Sequence, residues 1–126
     1  MSLTAMQMIQ EAKAAVPMIS IDETRAIMGN DDVIIIDVRD YLEVANSGKI
    51  KGAHHISRGM LEFHADDAMP MHNSELSKHK TIIVYCASGG RSALAGFALK
   101  KMGFTDVRNL GGFPDWVARG GETEAI

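Results

Sequence analysis

The chain has 126 residues, of which 46% are hydrophobic and 23% are charged, with a formal net charge of -3. This length and composition predict one globular domain with a hydrophobic core of its own. The negative charge argues against nucleic acid or an anionic membrane as the main partner.

Elements taken in chain order alternate between helical spacing and short apolar runs. The residues between 65 and 80 are polar and predict no regular structure. The predicted elements are a helix over 4–16, a strand over 18–21, a helix over 24–28, a strand over 33–36, a helix over 41–46, a strand over 54–56, a helix over 58–64, a strand over 81–85, a helix over 91–101, a strand over 107–110 and a helix over 114–119.

Turn and capping signals set the limits of several of these elements. Pro17 ends the first helix, and Asp22 is expected to cap the second. The pair Gly111–Gly112 predicts a turn before the last helix. The β-branched run 33–36 predicts a strand covered on both faces, which is typical of a parallel sheet. We therefore expect an α/β fold in which ligands bind beyond the carboxyl ends of the strands.

The only cysteine, Cys86, stands at such a strand end, in the stretch "YCASGGRS". A single cysteine excludes an internal disulfide and multi-cysteine zinc sites, and it fits a reducing compartment. The glycine pair lets the loop curl with N–H groups pointing inward, and the following helix adds its positive end. With the charge of Arg91, these features favour a thiolate nucleophile over an inert buried cysteine.

Four segments in this order resemble the rhodanese family of sulfurtransferases. The similarity covers roughly residues 19–121 and rests on "IIIDVRDYLE", "GKIKGAHHI", "YCASGGRSALAG" and "NLGGFPDW". Lys49 and Lys51 replace the histidine and proline that are usual in the second segment. The resemblance implies a five-stranded, mainly parallel sheet with helices on both faces. It also implies a rhodanese-like domain over 18–126, preceded by a helical extension over 1–17.

The resemblance further implies that Cys86 alternates between a thiolate and a persulfide. Sulfane sulfur would move from a small donor, thiosulfate or a persulfide, to cyanide in an assay, or to a thiol or a protein in the cell. No metal or organic cofactor is implied. The expected catalytic residue is Cys86, and the expected substrate-binding residues are Ala87, Ser88, Gly89, Gly90, Arg91, Ser92 and Arg58.

Two alternative functions stay open at this point. The domain could be a carrier or regulatory module that holds a persulfide without turning over. Phosphatases of the same fold have five residues between cysteine and arginine, whereas this loop has four, 87–90, and no acidic residue. The shorter loop suits a sulfur atom better than a phosphate group.

Other charged residues allow more than one interpretation. Arg58 either faces the loop as a second cation or forms an ion pair with Glu62, four residues on. Arg39 and Glu43 have the same spacing and are expected to pair. Asp37 is expected to accept nearby backbone N–H groups.

Neither a metal site nor a membrane segment is predicted. The histidines and aspartates between 54 and 72 fit no metal-ligand spacing. No signal-peptide pattern and no long apolar run is present, so we expect a cytoplasmic protein. The N-terminal helix is expected to pack either on the domain or on a second copy in a homodimer.

Overall fold

The computed structural model describes residues 2–126. Its elements are α1 (Ala5–Ala15), α2 (Ile21–Ile27), β1 (Val33–Asp37), α3 (Tyr41–Ser47), β2 (Lys49–Ile50), β3 (His54–His55), a 3-10 helix (Arg58–Met60), α4 (Leu61–Ala65), β4 (Thr81–Cys86), α5 (Gly90–Lys101), β5 (Asp106–Gly112), α6 (Phe113–Ala118) and β6 (Thr123–Glu124).

A parallel sheet in the order β3-β1-β4-β5 forms the centre of the molecule. Helices lie on both of its faces, which confirms the predicted α/β class. The expected count of five strands was wrong. The run predicted as the first strand makes only one parallel bridge, from Met18 to Asn109.

The missing strand has a local cause. Ser20 ends the extended segment because its hydroxyl accepts the N–H of Glu23, while the Glu23 carboxylate accepts the N–H of Ser20, each at 3.0 Å. This reciprocal cap starts α2 at Ile21. Ser20, rather than the predicted Asp22, is therefore the N-cap.

Side chains of the central strands alternate between two cores. Along β4, Ile82, Val84 and Cys86 point to one face, and Ile83 and Tyr85 point to the other. This is the two-residue period of a strand buried on both sides. Because Cys86 has the same parity as Val84, its side chain faces α5.

Helix α1 packs on α5 of its own chain. Ala12 is fully buried, and Val16 belongs to the core between α5 and the sheet. Of the two arrangements expected for this helix, the structure therefore has the one in which it packs on the domain.

The last long strand is longer than predicted, because Gly111 and Gly112 do not form a turn. They pair with Tyr85 and Cys86 of β4. The register shifts just before them, so that Asn109 pairs with Val84 while Gly111 pairs with Tyr85. This β-bulge extends β5 alongside Cys86.

Strands β2 and β6 form a second, antiparallel sheet that the sequence did not predict. Lys49 and Glu124 form an ion pair across it at 3.2 Å. The short length of both strands explains the failure, since two residues have no recognisable period.

Within residues 2–126, no helix is both long enough and apolar enough to cross a membrane.

A buried ion pair fixes the chain where β1 ends. Asp37 is fully buried and Arg39 is 4% exposed, and their side chains lie 2.7 Å apart. The Asp37 carboxylate also accepts the backbone N–H of Arg39 at 3.0 Å, as the sequence predicted. The predicted pairing of Arg39 with Glu43 was wrong. Arg39 instead donates to the Ser47 hydroxyl and to the Gly48 carbonyl oxygen, at 2.9 and 2.8 Å.

We predict that Arg39→Met lowers the free energy of unfolding by about 3–5 kcal/mol, because it leaves the Asp37 carboxylate buried without its cation. Urea denaturation measures this. Arg108→Met is the matched control, since Arg108 also pairs with an aspartate two residues earlier, Asp106, but at a half-exposed position. The control should lose less than about 1 kcal/mol. Equal losses in both variants would contradict the role assigned to burial.

Candidate active site

Cys86 is the last residue of β4 and lies under the N-terminal end of α5. Its side chain faces α5 because of the strand parity, and the residue is only 1% exposed. At this edge of the sheet the chain must turn at once from a strand into a helix. The loop residue Ser88 is exposed, whereas Gly89 is buried beside the sulfur.

The turn brings backbone N–H groups onto the sulfur. Gly89 donates its N–H to Cys86 Sγ at 3.0 Å, and Ser92 donates its N–H at 3.4 Å. Gly89 has a φ of +99°, in the left-handed region that a side chain would disfavour. A Cβ atom added at Gly112 would lie 2.6 Å from the Ala87 carbonyl oxygen, so glycine there lets β5 approach the loop.

These donors change the acidity of the thiol. Burial raises the pKa of Cys86, but hydrogen bonds from the Ser92 hydroxyl and from the N–H groups of Ser92, Ser88 and Gly89 oppose burial. Together the hydrogen bonds outweigh burial, so the pKa of Cys86 lies below its ordinary value. The site therefore favours a negative charge on sulfur, as required of a nucleophilic thiol.

Arg91 lies at the start of α5, but its charge is not free. Its guanidinium binds the Glu43 carboxylate through two hydrogen bonds, of 2.6 and 2.9 Å. These bonds raise the pKa of Arg91 and lower the pKa of Glu43 to about 2, so both stay charged at neutral pH. The expectation of a full positive charge near the sulfur is thus replaced by an ion pair. The ion pair forms because Glu43 of α3 is not engaged by Arg39 and is therefore free to bind Arg91.

Asn109 is a buried site residue that the sequence analysis did not identify. Its side-chain oxygen accepts from the Ser92 hydroxyl at 2.8 Å and from the N–H of Gly111 at 2.9 Å. Its side-chain nitrogen donates to the Gly89 carbonyl oxygen at 3.2 Å. An asparagine inside a predicted strand, two residues before a glycine pair, was the available signal.

Arg58 lies apart from this network in the structure. It forms an ion pair with Glu62 at 2.8 Å, the i,i+4 pair that was one of its two predicted roles. Its contact with a substrate stays a prediction.

The N-terminal helix contributes a wall to the site. Ile9 of α1 lies against Gly90, where the loop enters α5. No local pattern predicts this contact, because 81 positions separate the two residues along the chain.

The chain is similar to known proteins over most of its length. The sequence profile of the family described as "Rhodanese-like domain" matches residues 20–119. A sulfurtransferase of Allochromatium vinosum is 30% identical over 98 residues, which cover 77% of this chain and 83% of that protein. YrkF of Bacillus subtilis, provisionally named a sulfur carrier protein, is 33% identical over 86% of this chain but only 55% of its own length.

Two solved structures are also similar over nearly the whole chain. A protein of unknown function from Rhodopseudomonas palustris, described as a possible tyrosine phosphatase, has a TM-score of 0.90 and 35% identity, covering 98% of this chain and 96% of that one. The homodimeric polysulfide-sulfur transferase of Wolinella succinogenes has a TM-score of 0.75 and 32% identity, covering 94% of this chain and 85% of its own. From the profile match, the sequence identities and the fold, we conclude that this chain belongs to the rhodanese-like domain family.

Proposed function

We propose that this protein is a sulfurtransferase that moves sulfane sulfur from a donor such as thiosulfate to a thiophilic acceptor through a persulfide on Cys86. The observation that supports it most directly is the set of N–H donors that converge on Cys86 Sγ, with Gly89 N at 3.0 Å and Ser92 N at 3.4 Å. Such donors stabilise a thiolate, and the same cradle of 87–91 suits the terminal sulfur of a persulfide.

In the first half-reaction, the Cys86 thiolate attacks the outer sulfur of thiosulfate. A bond forms between Sγ and that sulfur, the sulfur–sulfur bond of thiosulfate breaks, and sulfite leaves with the electron pair. In the second, an acceptor such as cyanide attacks the outer sulfur of the persulfide. Thiocyanate then departs and the thiolate returns, so the cycle is a two-step covalent mechanism.

Three features of the chain suit a persulfide intermediate. The sequence has no second cysteine, so no neighbouring thiol in the same chain can attack the persulfide and close a disulfide. The 1% exposure of Cys86 excludes bulk water and favours small donors over bulky ones. The four-residue loop likewise supports sulfur chemistry over phosphate chemistry.

A homodimer and a cytoplasmic location stay predictions for this chain. The Wolinella succinogenes protein is a homodimer, and its similarity covers 94% of the present chain. In this protein, Leu3 and Met6 at the N-terminal end are both more than half exposed.

Sulfur loading is the first test of the proposal. Incubation of the purified protein with thiosulfate should add one sulfur atom per chain, measured by intact mass. The matched variant Cys86→Ser should gain none, because serine cannot form the persulfide. A gain in Cys86→Ser, or none in the unmodified protein under conditions that load other rhodaneses, would count against a Cys86 persulfide.

Acidity of the thiol is the second test. The alkylation rate of Cys86 by iodoacetamide follows the thiolate fraction, so it rises with pH and levels off above the pKa. Since the hydrogen-bond donors lower the pKa of Cys86, the midpoint should lie below the value of about 8.5 for a free cysteine. The urea-unfolded chain is the control, and its single cysteine should titrate near the free value. Identical midpoints would show that the donors have no effect.

A carrier without turnover is the second candidate function, favoured by the similarity to YrkF. Thiosulfate and cyanide in steady state separate the two. We expect many thiocyanate ions per protein chain, since cyanide returns Cys86 to the thiolate that the N–H donors stabilise, ready for another thiosulfate. Formation of no more than one thiocyanate per chain would favour the carrier.

A further inference from the structure

The Ser92 hydroxyl lies between two groups that compete for its only proton. Its oxygen is 3.4 Å from Cys86 Sγ and 2.8 Å from the side-chain oxygen of Asn109. Ser92 is fully buried and Asn109 is 1% exposed, so water does not satisfy either group. Whether the hydroxyl donates to Asn109 or to Cys86 therefore depends on whether the sulfur is neutral or negatively charged.

The orientation of the Asn109 amide is set by two other partners. The N–H of Gly111 donates to its oxygen at 2.9 Å, and its nitrogen donates to the Gly89 carbonyl oxygen at 3.2 Å. The oxygen must therefore face Ser92, and the hydroxyl must donate to it. In this arrangement the Ser92 oxygen presents a lone pair to the sulfur, which matches a neutral thiol that donates its S–H.

A negatively charged sulfur reverses this requirement, because a thiolate can only accept. Rotation of the hydroxyl about its C–O bond moves the proton from Asn109 to Sγ without moving a heavy atom. The Asn109 oxygen keeps the N–H of Gly111 as a donor, so it is not left unpaired. Both positions of the proton thus leave every buried group with a partner.

We propose that Ser92 is a catalytic residue whose hydroxyl turns from Asn109 to Cys86 Sγ when negative charge forms on that sulfur, and that Asn109 is a positioning residue, which accepts the hydroxyl hydrogen bond while the sulfur is uncharged. This inference rests on the proposed sulfur transfer. The hydrogen bond from the Ser92 hydroxyl matters most in the second half-reaction, in which Sγ is the leaving group of the persulfide. The acceptor forms a bond to the outer sulfur, the sulfur–sulfur bond breaks, and its electron pair passes to Sγ.

Among the described residues around the sulfur, no charged side chain takes the place of the Ser92 hydroxyl as a donor to Sγ. Arg91 of α5 interacts electrostatically with Cys86, but it is held by Glu43 of α3. Neither side chain changes in the variants below, so their contribution stays constant.

Ser92→Ala tests the role of the hydroxyl. The variant is first loaded with sulfur, and the persulfide is then discharged with cyanide in a stopped-flow experiment. Discharge should be about tenfold slower, the effect of one lost hydrogen bond to a charged atom. The alkylation midpoint of Cys86 should also rise. Ser92→Thr, which keeps the hydroxyl, should restore both values.

Ser57→Ala is the matched control, because Ser57 caps the 3-10 helix without a side-chain hydrogen bond. It should leave the discharge rate and the alkylation midpoint unchanged. Unchanged discharge in Ser92→Ala would overturn the proposal, as would equal slowing in Ser57→Ala. Sulfur loading, measured by intact mass, separates this failure from failure of the proposed function, since loading of Ser92→Ala should still be complete.

Asn109→Ala tests the role of Asn109 as the acceptor while the sulfur is uncharged. With Asn109 absent, the hydroxyl has the sulfur as its remaining partner, so the alkylation midpoint should fall. In the double variant with Ser92→Ala, removal of Asn109 should no longer change the midpoint, because its effect passes through the hydroxyl. A shift of the same size in both backgrounds would overturn the coupling. Thermal unfolding of each variant identifies any loss of folded protein.

Discussion

A negative charge on a buried sulfur atom needs hydrogen-bond donors in place of water, and this requirement organises the site. The donors come from the turn that joins β4 to α5, where Gly89 and Ser92 present their N–H groups to Cys86 Sγ at 3.0 and 3.4 Å. Burial alone would raise the pKa of this thiol. The local backbone therefore decides whether Cys86 is an inert core residue or a nucleophile.

The turn keeps its shape because neighbouring strands and helices hold it. Asn109 reaches it from the adjacent strand and binds both Ser92 and the Gly89 carbonyl oxygen. Its backbone also accepts the N–H of Ile19 at 3.1 Å and donates to Pro17 at 2.9 Å. One residue thus connects the sulfur site to the segment that follows α1. The segment after α1 is thus tied to the domain beside the sulfur site, although the family profile begins at residue 20.

Charged groups around the site form pairs of their own. Asp37 and Arg39 are buried together, and the Arg39 guanidinium also lies 4.3 Å from the ring centre of Phe113. Glu43 holds Arg91 at the entrance to α5. With these cations paired, the stabilisation of the sulfur anion falls to short-range hydrogen bonds, which are less sensitive to salt than a free charge.

The sequence alone determined the features that depend on neighbouring residues. The order of strand, Cys86, glycine loop and helix was readable because all of its parts lie within the 21 positions from 81 to 101, and the resemblance in four segments added the family. The wrong cap at Asp22 came from an overlooked local signal, because Ser20 and Glu23 have the spacing of a reciprocal cap and form it in the structure.

Only the tertiary structure decided which distant residues meet. Spacing suggested Arg39 as the partner of Glu43, but the fold places Arg91 there, 48 positions along the chain. Asn109 reaches Ser92 because it pairs with Val84, whose side chain faces α5, and no local pattern reveals this pairing. Local propensities are set by neighbours in sequence, whereas ion-pair partners and strand register are set by which surfaces the whole chain buries together.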